Sequence, residues 1–160
     1  MVRNILVPID GSIHAQRALE LAADLAARHE ARLHVMHVLL RGDVPEELRA
    51  LSERKDEREP AIAIGAGFVD ASLPAEVLKD IATQLLERAE ATAREHGAGA
   101  VETSWHEGDP ARAILEQARE QGADMIVMGS RGLSDLEGLV VGSVSHKIAH
   151  LFEGSVVSVR

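Results

Sequence analysis

Cysteine is absent from the 160 residues, so neither disulfides nor thiolate metal sites are available, and a reducing compartment suits the chain. Tyrosine is absent as well; two phenylalanines and one tryptophan are the whole aromatic complement. Stacking platforms for single-stranded nucleic acid are therefore nearly missing. Basic residues are the minority, 17 Lys and Arg against 26 Asp and Glu, which leaves a formal charge of −9. That sign argues against nonspecific nucleic-acid binding, whose affinity comes from neutralising phosphates. An anionic small ligand would need local donors or a cation. No run approaches the ~18 apolar residues of a membrane span. Met1-Val2-Arg3-Asn4 leads straight into an apolar run, with no secretion signal. The expected setting is the cytoplasm, with no nucleic acid and no membrane insertion.

What is present reads as one domain over residues 1–160, with 46% hydrophobic and 27% charged residues, enough for a sizeable core. Asn4-Ile5-Leu6-Val7-Pro8-Ile9 has the character of a buried strand ending at Asp10-Gly11-Ser12. Ser12 is placed to cap a helix over about 13–29, whose apolar stripe is Ala15, Ala18, Leu19, Ala22, Leu25 and Ala26. A second strand covers Arg32 to Leu40, and a helix covers 74–96, stopped by Gly97 and Gly99. A third strand at 101–106 precedes a helix opened by Asp109-Pro110 and closed near Gly122. A fourth strand at 123–128, a helix over 143–152 and a last strand at 155–160 complete the pattern. Strands alternating with amphipathic helices predict an α/β fold, a doubly wound parallel sheet of five strands with helices on both faces. About 33 residues lie between the second strand and the next helix, well beyond the usual ~2–6 of a connection. We read 41–72 as a variable insert, with a short helix at 45–51 and a solvated charged run at 53–59.

In a sheet of this kind ligands sit beyond the carboxyl ends of the strands, where the strand order reverses. Asp10 and Gly129 both fall at such ends. Gly129 opens a segment with Gly132, a nine-residue excursion, then Gly142 and Ser143. A strand leads in and a helix leads out. First-turn amides of that helix have no intrahelical acceptor and carry the positive end of its dipole. Glycines at 129, 132 and 142 let the main chain approach phosphate oxygens, and Ser143 and Ser145 add hydroxyls. The pattern predicts a phosphate site, with Arg131 the nearest loop cation and Asp10 a ligand for Mg²⁺ held by the phosphates.

These residues carry a resemblance. The segment is similar to the G-x2-G-x9-G-[S/T] nucleotide-binding signature of the universal stress protein family. "ILVPIDGS" at 5–12, "DMIVMGSRGLS" at 124–134 and "GSVSHKIAH" at 142–150 resemble that family's opening strand, fourth strand and loop, and last helix. The resemblance implies strand order 3-2-1-4-5, ATP as ligand, a regulatory role and a homodimer through the edge strand 155–160. Position by position, it implies that Pro8, Ile9 and Asp10 lie beside ribose and phosphates, and that Val38 offers backbone groups to adenine. It implies also that Met128 leads into a loop where Gly129, Gly132, Gly142, Ser143, Val144 and Ser145 hold phosphates and ribose. The chain departs from the family at Gly154-Ser155-Val156, where Cys-Pro-Val is common, and at Ser158, where an aliphatic is common.

Other chemistries find little support. No G-x4-GK[ST] occurs, so this is not a P-loop protein. Gly65-Ala66-Gly67 lacks the third glycine of a dinucleotide fingerprint, because Asp70 stands there. A phospho-receiver would need an Asp where Trp105-His106-Glu107 ends the third strand. His146 and His150 have the spacing of a metal pair, but without a third ligand or an HExxH they read as helix-surface residues. His34 and His37, three apart on a strand, face opposite sides. Three functions stay open: an ATP-binding regulator whose nucleotide state modulates dimer or partner contacts, a slow ATPase or phosphotransferase, and an interaction module without nucleotide.

Overall fold

The computed structural model describes residues 1–39, 75–132 and 143–160. Gly142, the insert at 41–72 and the short helix expected at 45–51 lie outside the described residues.

In chain order the elements are β1 (Asn4–Ile9), α1 (Ile13–His29), β2 (Arg32–Leu39), α2 (Ala75–Glu95), β3 (Ala100–Glu107), α3 (Pro110–Glu120), β4 (Met125–Gly129), α4 (Ser143–Leu151) and β5 (Ser155–Val159). The strands form one parallel sheet in the order β3-β2-β1-β4-β5. The fold and the order are those the motifs implied.

Strand alternation decides which side chain meets which helix. Ile5, Val7 and Ile9 of β1, with Leu33, Val35 and Val127, pack against α1 and α2, whose buried face includes Ala15, Ala18, Leu19, Ala22 and Leu86. Leu6, Met36, Ile126 and Met128 point the other way, onto Ala111, Ile114 and Ala118 of α3 and Ile148 of α4. Alanines dominate the buried stripe of α1, so this helix lies close against the sheet.

Side-chain caps set the helix starts. Ser12 Oγ accepts from Ala15 N–H at 3.2 Å, and Asp109 Oδ1 accepts from Arg112 N–H at 2.9 Å. The ends close by a different device. Gly122, at φ +57°, follows the cap residue Gln121, with Ala123 N–H donating to Ala118 O and Gly122 N–H to Arg119 O. Gly97, at φ +88°, ends α2 with the matching bond from Ala98 N–H to Ala93 O. Asp124 ties the start of β1 to that of β4, its carboxylate accepting from the backbone N–H groups of Arg3 at 2.8 Å and Asn4 at 3.0 Å. Those two bonds hold the Asp124 carboxyl below its ordinary range.

Candidate functional site

The reversal of strand order falls between β1 and β4, and the sequence-predicted residues gather at the carboxyl ends of these strands. The turn after β1 comes first. Asp10 Oδ1 accepts from Ser12 N–H at 2.9 Å, while Ser12 in turn caps α1. Gly11 between them takes φ +83°, a left-handed value that a side chain rarely tolerates. The Asp10 carboxylate is thus fixed by the same turn that starts α1.

The end of β4 lies against that turn. A Cβ built on Gly129 would stand 3.0 Å from Ala15 N and 3.0 Å from the carbonyl carbon of His14, both in the first turn of α1. A Cβ on Gly132 would stand 2.7 Å from Asp10 Oδ2. A Cβ at Gly132 would have to displace the Asp10 carboxylate, and one at Gly129 would crowd the backbone of α1's first turn. The main chain of 129–132 therefore runs against Asp10 and the α1 start with nothing between.

Further bonds hold this loop. Ser130 N–H donates to Val159 O at 2.7 Å, which anchors it to β5. Ser145 Oγ donates to Ser130 O at 3.1 Å, which fastens the first turn of α4 under the same loop. Ser145 is buried, and this hydroxyl proton is committed to the carbonyl. Its part at the site is to position α4, and the first-turn amides are what that turn presents. Ser130 Oγ, also buried, has no hydrogen-bond partner among the described residues.

The other expected residues lie around this centre. Pro8 is half-buried and Ile9 buried in β1, Met128 is buried at the end of β4, and Val38 is half-buried near the carboxyl end of β2, opposite His106 in β3. Ser143 is exposed at the start of α4, Val144 half-buried, and Arg131 and Gly132 half-buried in the loop. The structure brings Gly132 against Asp10 and Gly129 against the first turn of α1; Val38 stands at the same end of the sheet, on β2.

One neighbour of the site was not legible as such. His37 is 8% exposed, and its Nδ1–H donates to Ile9 O at 2.8 Å, just behind Asp10. The carbonyl can only accept, so the tautomer is Nδ1–H. Burial lowers the His37 pKa, against the raising effects of the Ile9 bond and the Asp10 charge. The signal available was the pairing of Ile9 with His37 across adjacent parallel strands. On the opposite face, His34 is equally buried, with Nε2 2.8 Å from Ser104 Oγ, which is 3.0 Å from His106 Nε2. Here too burial is the largest cause and lowers the pKa; Glu102, 3.7 Å away, opposes it, and His106 reinforces it.

The chain has relatives among known proteins. A family model described as the universal stress protein family matches residues 1–160. The universal stress protein YxiE of Bacillus subtilis is 36% identical over 160 residues, all of both chains. A universal stress protein solved in complex with cAMP is similar in structure, with TM-score 0.69 and 26% identity, covering 99% of this chain and 97% of its own. The universal stress protein UspA from Lactobacillus plantarum matches with TM-score 0.67 and 26% identity, covering 99% and 98%.

Proposed function

The chain belongs to the universal stress protein family, and on that premise we propose that it is a nucleotide-binding regulatory protein that takes ATP at the junction of β1, β4 and the start of α4. The observation that carries this reading is the closeness of Gly132 to Asp10 and of Gly129 to the first turn of α1, with a Cβ crowded at both glycines. A loop with glycines where it comes closest to its neighbours, beside a helix start, is suited to phosphate oxygens. The cAMP complex of a relative supports the adenine nucleotide class.

Energetics say what the site must contribute. A helix terminus supplies about 0.3–1 kcal/mol per favourable charge, while micromolar affinity needs about 8 kcal/mol. Hydrogen bonds from the loop, adenine burial near Val38 and a divalent cation supply the remainder. Asp10 is the carboxylate in position to share Mg²⁺ with the phosphates, and Arg131 the loop cation. Phosphoryl transfer needs a positioned nucleophile, metal clamps and several charge-stabilising groups. Asp10 and Arg131 are a thin set for it, so we assign the nucleotide a regulatory role and hydrolysis, at most, a slow rate. Two copies pairing through the outer edge of β5, where Val156, Val157 and Val159 are half-buried, would carry nucleotide state into a dimer contact.

Mass spectrometry of small molecules released from freshly purified protein, followed by calorimetry with ATP, AMP and cAMP, tests the reading. We expect adenine nucleotide and saturable binding. A Gly132→Val, Gly142→Val double variant that binds ATP as tightly as the parent would overturn it.

A further inference from the structure

Two histidines one turn apart stand on the solvent side of α4, following the first-turn residues Ser143, Val144 and Ser145. His146 and His150 are exposed, whereas Ser145 and Ile148 form the buried side of the same helix. Their Nε2 atoms are 3.2 Å apart, with ring centroids 4.4 Å apart and planes crossing at 69°. The i, i+4 relation makes them neighbours, and the helix holds their main chains in place.

The 3.2 Å separation matches the bite of a metal ion. Imidazole nitrogens bind Zn²⁺ at about 2.0–2.1 Å. Two bonds of that length whose ends are 3.2 Å apart enclose an angle of roughly 100–106°. That lies between the right angle of a cis pair in square-planar or octahedral geometry and the tetrahedral value, so the backbone need not move. As it stands the contact is a hydrogen bond in which one Nε2–H donates to the lone pair of the other ring. For both lone pairs to meet a cation, the donor ring must shift its proton to Nδ1, which solvent can mediate at exposed rings.

We propose that His146 and His150 form an exchangeable two-imidazole chelate for a divalent transition-metal ion, with water completing the coordination. Among the described residues no group of three or more His, Asp or Glu is placed to hold a metal. The described residues therefore supply two ligands here, and the ion exchanges readily. Imidazole donors and the stability order of the divalent ions favour Cu²⁺ over Zn²⁺. The inference is independent of the nucleotide reading, because neither ring is assigned to that site.

The test titrates the full-length, untagged chain with CuCl₂ and with ZnCl₂ at pH 7.5, followed by calorimetry and by imidazole C–H NMR. We expect a site in which Cu²⁺ binds more tightly than Zn²⁺, and at least a tenfold loss of affinity in His146→Ala and in His150→Ala. The double variant should lose no more than the tighter-acting single. Substoichiometric Cu²⁺ should broaden the His146 and His150 resonances before those of the other six histidines. Undiminished affinity in the double variant overturns the proposal, and so does broadening that begins at other histidines. Exposed positions leave the fold intact, and circular dichroism of the variants checks this.

Discussion

Gly132 and Asp10 are built against each other: a methyl group on the former would stand 2.7 Å from Oδ2 of the latter. Asp10 cannot simply swing away, because its other oxygen accepts from Ser12 N–H at 2.9 Å in the turn that starts α1. Gly132→Ala must therefore displace either the carboxylate or the loop. Since the loop is surface structure, we expect stability to change by less than about 1 kcal/mol. ATP affinity, in contrast, should fall at least tenfold. Parallel urea unfolding and calorimetry separate the two effects, and a loss of affinity matched by a comparable loss of stability would point to general damage.

The same carboxylate sets the expected metal dependence of nucleotide binding. With Mg²⁺ shared between Asp10 and the phosphates, chelation should weaken ATP binding in the parent. Asp10→Asn keeps an oxygen for the Ser12 N–H but removes the charge, so it should bind ATP more weakly with Mg²⁺ and respond little to EDTA. Equal affinities with and without EDTA in the parent would remove the ion from the site.

Much of this fold was legible because its punctuation is chemical. Ser12 and Asp109 have side-chain oxygens that cap, and Gly97 and Gly122 take the left-handed angles their helix ends require. Glu30 takes φ +52° with no such advantage, and nothing in its side chain announces the end of α1; the bond from Ala31 N–H to Ala26 O holds it. β3 runs two residues longer than its apolar pattern, since pairing with β2 continues from Ala100 to Glu107. β4 starts later than read, because Ala123 and Asp124 are used by the α3 end and the β1 clamp. At the candidate site, the places of Asp10 after β1 and Gly129 at the end of β4 were readable from the strand pattern. The burial of His34 and His37 was not, because it depends on partners in other strands.

Gly154 sits in a crowded turn. A Cβ there would lie 2.7 Å from Asp124 O and 2.5 Å from a ring carbon of Phe152. The ring can turn, but the carbonyl also accepts from Ser155 N–H at 3.0 Å and is held. Gly154→Ala should cost about 1–3 kcal/mol, as overpacking does. Thermal unfolding checks this, and an unchanged midpoint would mean that the turn into β5 adapts.

Acid should destabilise the chain through two histidines that folding keeps neutral. His34 and His37 both have pKa values lowered from 6.5 by burial. Well above pH 6.5 neither folded nor unfolded chain protonates them, so their effect on stability does not vary there. Below 6.5 the unfolded chain takes up protons that the folded chain refuses, and stability falls. The slope reaches up to about 1.4 kcal/mol per pH unit for each group, until the folded pKa is passed. Protonation of His37 leaves Nδ1–H donating to Ile9 O but places a positive charge near Asp10, where it competes with Mg²⁺, so nucleotide affinity should weaken in the same range. Urea midpoints at pH 7.5, 6.5 and 5.5, with NMR titration of the imidazole C–H signals, measure both quantities. If the two rings titrate at or above 6.5, burial does not govern them, and the acid sensitivity must come from elsewhere in the chain.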